Sequence, residues 1–127
     1  MEHYLIDNNV ISNYFFDIFS KKGMDFLADV INCVPNISVI TEIEALSWRD
    51  ADITKEYIVR SFVEDSNVIA LSPKVVEKCI EIRRNHRIKT PDAIIAATAI
   101  VHNLTLLTSD SDFKNIPNLK IINPLDL

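Results

Sequence analysis

Short apolar segments alternate along the chain with longer segments in which apolar residues recur every three or four positions. The short segments have the length of buried strands, and the longer segments have the spacing of amphipathic helices. Strands are therefore predicted at residues 4–6, 37–40, 68–71, 104–107 and 119–122. Short apolar strands that alternate with helices are typical of a parallel sheet covered on both faces. The pattern predicts the α/β class.

Capping residues and proline mark the predicted helix starts. Ser72-Pro73 and Thr90-Pro91 each place a hydroxyl residue before a proline, which is a common way to begin a helix. The helix after Thr90 is almost entirely apolar and is predicted to be mostly buried. Lys21-Lys22-Gly23 is predicted to separate the first two helices. Apolar residues recur at helical spacing in two other segments, Ile11, Phe15 and Ile18 in the first and Ile53, Tyr57, Ile58 and Phe62 in the second. The buried face of the helix after Ser72 is predicted to be Val75, Val76, Cys79 and Ile80.

Length and composition fit one globular domain over residues 1–127. Apolar residues make up 48% of the chain and charged residues 24%, which is an ordinary globular profile without a disorder signature. No apolar run approaches the length of a membrane span, and the amino terminus lacks the features of a signal peptide. We therefore expect a cytoplasmic protein with no membrane partner.

Glycine and cysteine usage excludes several kinds of site. Gly23 is the only glycine, so the chain has no glycine-rich phosphate loop and no dinucleotide-binding fingerprint. Cys33 and Cys79 lie in apolar, helix-like segments without CxxC spacing. They are predicted to be small buried residues that form neither a disulfide nor a zinc site.

Charge leaves the question of a nucleic-acid partner open. The formal net charge of −5 argues against such a partner, because nucleic-acid-binding proteins are usually basic. However, four of the thirteen Lys and Arg residues are clustered just before Asp92; these are Arg83, Arg84, Arg87 and Lys89. This basic stretch can contact RNA phosphates, or it can be an ordinary solvated helix end.

Four acidic residues lie where predicted strands meet predicted helices. Asp7, Glu44 and Asp110 each follow a predicted strand, and Asp92 begins the most apolar helix. Because the carboxyl ends of parallel strands share one edge of a sheet, these side chains are expected to meet in space. Their mutual repulsion favours a bound cation, and a donor set of carboxylate oxygens selects Mg²⁺ or Mn²⁺. Such ions are suited to chemistry on phosphate.

Each acid also has a purely structural interpretation. Asp7 can cap the first helix, and Thr41-x-x-Glu44 has the spacing of a capping box. Asp92 can complement a helix dipole, and Asp110 and Asp112 can be turn formers. These separate interpretations do not explain why all four positions fall at the same end of the predicted strands.

Four segments resemble, in order, the sequence blocks of the PIN-domain family. Residues 4–11 (YLIDNNVI) resemble its opening block, in which apolar residues precede Asp-Thr-Asn-Val-Leu, and residues 37–44 (ISVITEIE) resemble a strand followed by Thr-x-x-Glu. Residues 91–99 (PDAIIAATA) are similar to its most specific block, and residues 106–113 (LLTSDSDF) to its final block. Single-domain bacterial members of this size are typically VapC-like toxins of toxin–antitoxin pairs.

The resemblance implies a PIN-like three-layer sandwich with Mg²⁺- or Mn²⁺-dependent endoribonuclease activity. It also implies an RNA substrate, an antitoxin partner and a homodimer, and the helix around Phe15 and Phe16 is a candidate dimer surface. The residues matching the family's metal-binding and catalytic acids are Asp7, Glu44, Asp92 and Asp110. The residues matching supporting positions are Asn9, Thr108 and Asp112, the last of which can take over from Asp110.

The chain departs from the family pattern at three places. Asn8 stands where threonine is usual, Glu42 offers a second acid beside Glu44, and Ser47-Trp48 stands where glycine often follows the second block. Two alternative functions also stay open. One is a metal-dependent phosphatase or receiver-type domain, and the other is a non-catalytic PIN-like module that binds RNA or protein.

Overall fold

A computed structural model of the protein describes residues 2–16 and 18–127. Five parallel strands in this part of the chain form one sheet in the order β3-β2-β1-β4-β5. The strands are β1 (Tyr4–Ile6), β2 (Asn36–Ser38), β3 (Asn67–Ile69), β4 (Thr105–Leu107) and β5 (Ile121–Ile122). The helices are α1 (Asn8–Phe15), α2 (Lys21–Asn32), α3 (Val39–Ser47), α4 (Ile53–Asp65), α5 (Pro73–Asn85) and α6 (Thr90–Val101). The predicted α/β class and parallel sheet are confirmed.

Alternate residues of the central strands face opposite sides of the sheet. Leu5 and Leu106 pack in one apolar cluster with residues of α5 and α6, whereas Ile6 and Leu107 pack in a second cluster with residues of α1, α2 and α4. All four side chains are fully buried. Helices therefore cover both faces, which explains why the strands are continuous apolar runs without a polar face.

The central strands β1 and β4 create a switch point in the sheet. The chain leaves β1 toward β2 on one side, and β4 pairs with β1 on the other, with Ile6 opposite Leu107. The carboxyl ends of two such strands open into a crevice where ligands commonly bind in α/β proteins. Asp7 and Thr108, the next residues of the two strands, stand at this crevice. The order also differs from the 2-1-3-4-5 order of receiver domains.

Helix α6 is buried as predicted and delivers its first turn to the same edge. Its buried residues include four alanines, and their small size lets α6 pack against both the sheet and α5. Asp92, the third residue of this helix, is half-buried. Within the described residues, no helix combines the length and the apolar character that a membrane span requires.

Several predicted boundaries are wrong because serine caps begin the helices earlier. The Ser38 side chain accepts a hydrogen bond from the Thr41 N–H at 3.1 Å, so α3 begins at Val39 and the strand ends before it. Thr41 is thus inside the helix, and the predicted Thr41-x-x-Glu44 capping box does not form. Similarly, Ser20 caps α2, which makes Lys21 its first residue instead of part of a break.

Two other predicted boundaries also differ. Thr90 is the first residue of α6 and not its cap. The first helix was predicted to extend to Ile18, whereas α1 ends at Phe15. Asp17, which belongs to the predicted stretch, lies outside the described residues.

Several apolar residues that recur at helical spacing are exposed, and the buried face predicted for α5 is wrong in part. Tyr57 and Ile53 are 68% and 76% exposed, and α4 instead packs through Val59, Phe62 and Val63. On α5, Val76 and Ile80 are exposed, whereas Val75, Cys79 and Ile82 are buried. The prediction that both cysteines are buried holds for Cys79 and is wrong for Cys33, which is exposed at the end of α2.

Candidate metal centre

Asp7 is a buried carboxylate at the centre of the sheet's carboxyl edge. It caps α1, because its Oδ1 accepts the Asn8 N–H at 2.8 Å. Its Oδ2 accepts the Thr108 hydroxyl at 2.8 Å and the Asn9 side-chain amide at 3.1 Å. Only 6% of Asp7 is exposed, so these bonds replace most of the water that an ionised carboxylate would otherwise hold.

Thr108 and Asn9 join the two central strands at the switch point. The Thr108 hydroxyl accepts the Asp110 N–H at 3.1 Å while it donates to Asp7. The Asn9 side-chain oxygen accepts both the N–H and the hydroxyl of Ser109, each at 3.2 Å. Asp7 and the start of the Asp110 turn are therefore held at fixed positions relative to each other. The sequence predicted supporting roles for Asn9 and Thr108 but gave no signal for Ser109.

Three further carboxylates meet beside Asp7. Asp92 lies in the first turn of α6, and Asp110 and Asp112 lie at a short 3-10 turn that follows β4. One oxygen from each of the three lies within 4.8 Å of the others. Asp110 also caps this turn by accepting the Asp112 N–H at 2.9 Å. The structural roles proposed for these acids therefore coexist with their convergence at one place.

Glu44 approaches the cluster from α3. Its side chain is exposed, and it is near enough for the charges of Asp7 and Asp92 to raise its pKa. Neither Asp7 nor Glu44 belongs to the group of three oxygens. Of the four acids predicted from the sequence, Asp92 and Asp110 belong to that group together with Asp112, while Asp7 and Glu44 are close enough to interact electrostatically with other acids of the cluster.

Crowding and burial disfavour the ionised forms of three of these acids. The pKa of Asp7 is raised chiefly by burial and further by the charge of Asp110, although its hydrogen bonds oppose the change. The pKa of Glu44 is raised by partial burial and then by Asp7 and Asp92. Burial likewise raises the pKa of Asp92, with added repulsion from Asp110, Asp7 and Asp112, while Lys89 lowers it.

The basic stretch precedes Asp92 and, among the described residues, forms no ion pair with the acidic cluster. Arg83 and Arg84 lie in the last turn of α5, Arg87 and Lys89 lie between α5 and α6, and all four are exposed. Among the described residues, the ion pairs join Lys21 with Asp25 and Lys78 with Glu81, both away from the acidic cluster. Lys89 is near enough for its charge to affect Asp92.

The donor set fits a hard divalent cation. Every candidate ligand is a carboxylate oxygen, which Mg²⁺ and Mn²⁺ prefer, and no histidine or cysteine takes part in the group of three acids. Burial raises the pKa of Asp7, Glu44 and Asp92 most, and the negative charges of neighbouring acids raise it further. A bound cation would offset that repulsion between the acids.

The metal-free protein is expected to become more stable as the pH falls from neutral toward the ordinary pKa of carboxyl groups, about 4. Three carboxyl groups have pKa values raised above unfolded values of about 4, so the folded state binds protons more tightly. The free energy of unfolding therefore rises as the pH falls through these raised values. Urea unfolding in EDTA at several pH values measures this. The variant Asp92→Asn should show a weaker dependence of the free energy of unfolding on pH. A parent protein whose free energy of unfolding decreases as the pH falls would contradict the prediction.

Replacing Thr108 with valine is expected to destabilise the protein by about 1–3 kcal/mol, because it removes a donor to buried Asp7 and an acceptor for the Asp110 N–H. Thr108→Ser keeps the hydroxyl and should lose less. Thr54→Val, at an exposed position of α4, is the matched control and should change the free energy of unfolding by less than about 0.5 kcal/mol. Equal losses for the valine variants at the two positions would contradict a role for the Thr108 hydroxyl.

Solved structures with a similar fold come from bacterial toxin–antitoxin complexes. A chain of the toxin–antitoxin complex from Klebsiella pneumoniae is 28% identical, with a TM-score of 0.75, over 95% of this chain and 97% of that chain. VapBC2 from Rickettsia felis, bound to a DNA fragment from its promoter, is 24% identical with a TM-score of 0.77, over 94% and 97%. DNA-bound VapBC from Salmonella typhimurium is 19% identical with a TM-score of 0.78, over 98% and 99%.

The structures from Rickettsia felis and Salmonella typhimurium are less than 25% identical to this chain and share its fold. Their coverage indicates that nearly the whole of each chain takes part in that fold. A search of curated proteins found no match. The PIN domain model matches residues 4–119, which include the acids at the switch point and every strand except β5. The chain therefore belongs to the PIN domain family.

Proposed function

We propose that this protein is a metal-dependent endoribonuclease, with Mg²⁺ or Mn²⁺ as cofactor, that acts as the toxin of a toxin–antitoxin pair. The observation that carries the proposal is the convergence of carboxylates at the switch point of the sheet: Asp7, Glu44, Asp92, Asp110 and Asp112. Membership of the PIN family and similarity to a chain of a toxin–antitoxin complex support it.

The acids have distinct tasks in this proposal. Asp92, Asp110 and Asp112 offer the closest oxygens and hold the cation, and Glu44 and Asp7 complete the site. Asn9 and Thr108 orient Asp7 and favour its ionised form through hydrogen bonds. When bound, the cation supplies a water of lowered pKa and stabilises negative charge on the scissile phosphate. No side chain needs to form a covalent intermediate with RNA.

The proposed partners follow from the same comparison. We infer a cognate antitoxin protein, because related chains were solved in toxin–antitoxin complexes, and we infer that the protein works on RNA in the cytoplasm. A homodimer also remains part of the proposal. Its predicted surface around Phe15 and Phe16 is only partly available, since these half-buried rings pack against Phe62 and Trp48.

The variant Asp92→Asn is expected to lose Mn²⁺ affinity and ribonuclease activity without loss of stability in EDTA. Removing one negative charge relieves repulsion from the neighbouring acids, so the metal-free variant should be at least as stable as the parent. Melting curves in EDTA, calorimetric titration with Mn²⁺ and cleavage of mixed cellular RNA measure the three properties.

Asp29→Asn is the matched control, because Asp29 is an exposed acid of α2. It should keep both metal binding and cleavage. A parent protein that binds RNA but neither binds Mn²⁺ at millimolar levels nor cleaves RNA would favour a non-catalytic module. An Asp92→Asn variant that is clearly less stable in EDTA and still cleaves RNA would remove Asp92 from the site.

Neutralising Arg84 and Arg87 together is expected to weaken RNA binding and to reduce its dependence on salt. Each lost phosphate contact lowers the slope of log affinity against log salt by about 0.7–1. Both residues are exposed, so the fold should be unaffected. Titrations of labelled RNA at several salt concentrations test this. The control is Lys120→Ala, because Lys120 is an exposed residue just before the edge strand β5. An unchanged slope would make this stretch an ordinary solvated helix end.

A further inference from the structure

A cavity of about 540 Å³ lies between the end of α3 and the start of α4. Its walls include Trp48 and Tyr57, two aromatic residues, and Arg49 and Arg60, two exposed arginines. Its volume falls within the range of about 300–1,000 Å³ that is usual for small-molecule sites. The acidic centre uses none of these side chains.

The cavity shares helix α3 with the proposed catalytic centre. Trp48 follows Glu44 by four residues at the end of α3, a separation of one helical turn or about 6 Å along the axis. Ala45, the residue after Glu44, lies in the cavity wall. Helix α3 therefore connects the cavity to one of the acids of the proposed centre.

Trp48 is held in place from behind. Its ring packs against Phe16 with 5.8 Å between the ring centroids, and the Lys55 ammonium lies 5.3 Å from the centroid of Phe16. Phe16 caps the carboxyl end of α1, the helix that Asp7 caps at its amino end. The indole is thus half-buried yet still lines the cavity, as expected of a preformed stacking surface.

The charges around the cavity suit a polyanion. The acidic centre repels phosphate groups, so an RNA substrate needs positive contacts nearby. Arg49 and Arg60 provide two such charges, and neither forms an ion pair within the described part of the chain. Glu56 also lines the cavity and adds one negative charge, so the two arginines leave the lining with a net positive charge. Aromatic surfaces beside basic groups are typical of single-stranded nucleic-acid sites.

We propose that this cavity binds one nucleotide of single-stranded RNA beside the cleavage site. The base stacks on Trp48, with Tyr57 as the second aromatic wall, and the flanking phosphates contact Arg49 and Arg60. This inference rests on the proposed function for its ligand, but it assigns a binding role to residues outside the acidic centre. It also gives a role to Ser47-Trp48, where the chain departs from the usual family pattern.

Because Trp48 is the only tryptophan in the chain, its fluorescence reports directly on the cavity. Titration with a single-stranded RNA of about ten nucleotides, in Mg²⁺ and separately in EDTA, should give saturable quenching through base stacking. Arg49→Ala combined with Arg60→Ala should weaken binding by about five- to hundredfold. Lys120→Ala, which removes an exposed charge at the other edge of the sheet, should leave the affinity unchanged.

Variants of Trp48 lack the fluorescent probe, so their binding is measured with labelled RNA. Trp48→Ala should weaken binding by a similar factor, and Trp48→Phe should restore most of it because an aromatic ring remains. The inference would be overturned if RNA quenched the fluorescence in neither buffer. It would also be overturned if the double arginine variant bound and cleaved RNA as well as the parent does. Either result would leave the cavity to a protein partner. Quenching without cleavage would instead overturn the proposed function and keep the nucleotide site.

Discussion

Repulsion between like charges is the constraint on which the functional edge of this molecule depends. The sheet order brings the end of β1 next to the end of β4, and α3 and α6 add their own acids to the same place. The described residues supply no ion pair that neutralises them. The metal-free fold therefore keeps an unfavourable electrostatic arrangement at one edge, while two apolar clusters stabilise the rest. Such arrangements are expected where function and stability are in conflict.

The site is held without a glycine-rich loop. Backbone N–H groups and short polar side chains fix Asp7 and the Asp110 turn, and the small residues of α6 bring Asp92 close to both. Helices and strand ends carry Asp7, Glu44 and Asp92, whereas Asp110 and Asp112 lie in a short turn that the Thr108 hydroxyl and the Asp110 carboxylate hold by hydrogen bonds. Helix α3 contributes residues both to the acidic centre and to the cavity beside Trp48.

Local signals predicted some features of this protein well, and other features depend on tertiary contacts. The start of α5 was predictable because Ser72 and Pro73 act through neighbouring backbone groups. The outward position of Tyr57 was not, because periodicity places apolar residues on a stripe without showing which part finds a partner. The prediction that the acids meet followed from the strand ends for Asp7 and Asp110 and from the start of a helix for Asp92. The bond between Ser109 and Asn9 depends on the pairing of distant strands, which single residues do not reveal.

The link between Asp7 and Thr108 also sets the order in which the protein acquires its properties during folding. These residues are 101 positions apart, so their hydrogen bond requires closure of a loop that includes most of the chain. Strands β1, β2 and β3 can pair through shorter connections while β4 is still absent. A partly folded chain then has a sheet and an apolar core but no assembled acidic centre. Any activity of that centre is therefore one of the last properties to appear, and it is lost at once when β4 separates from β1.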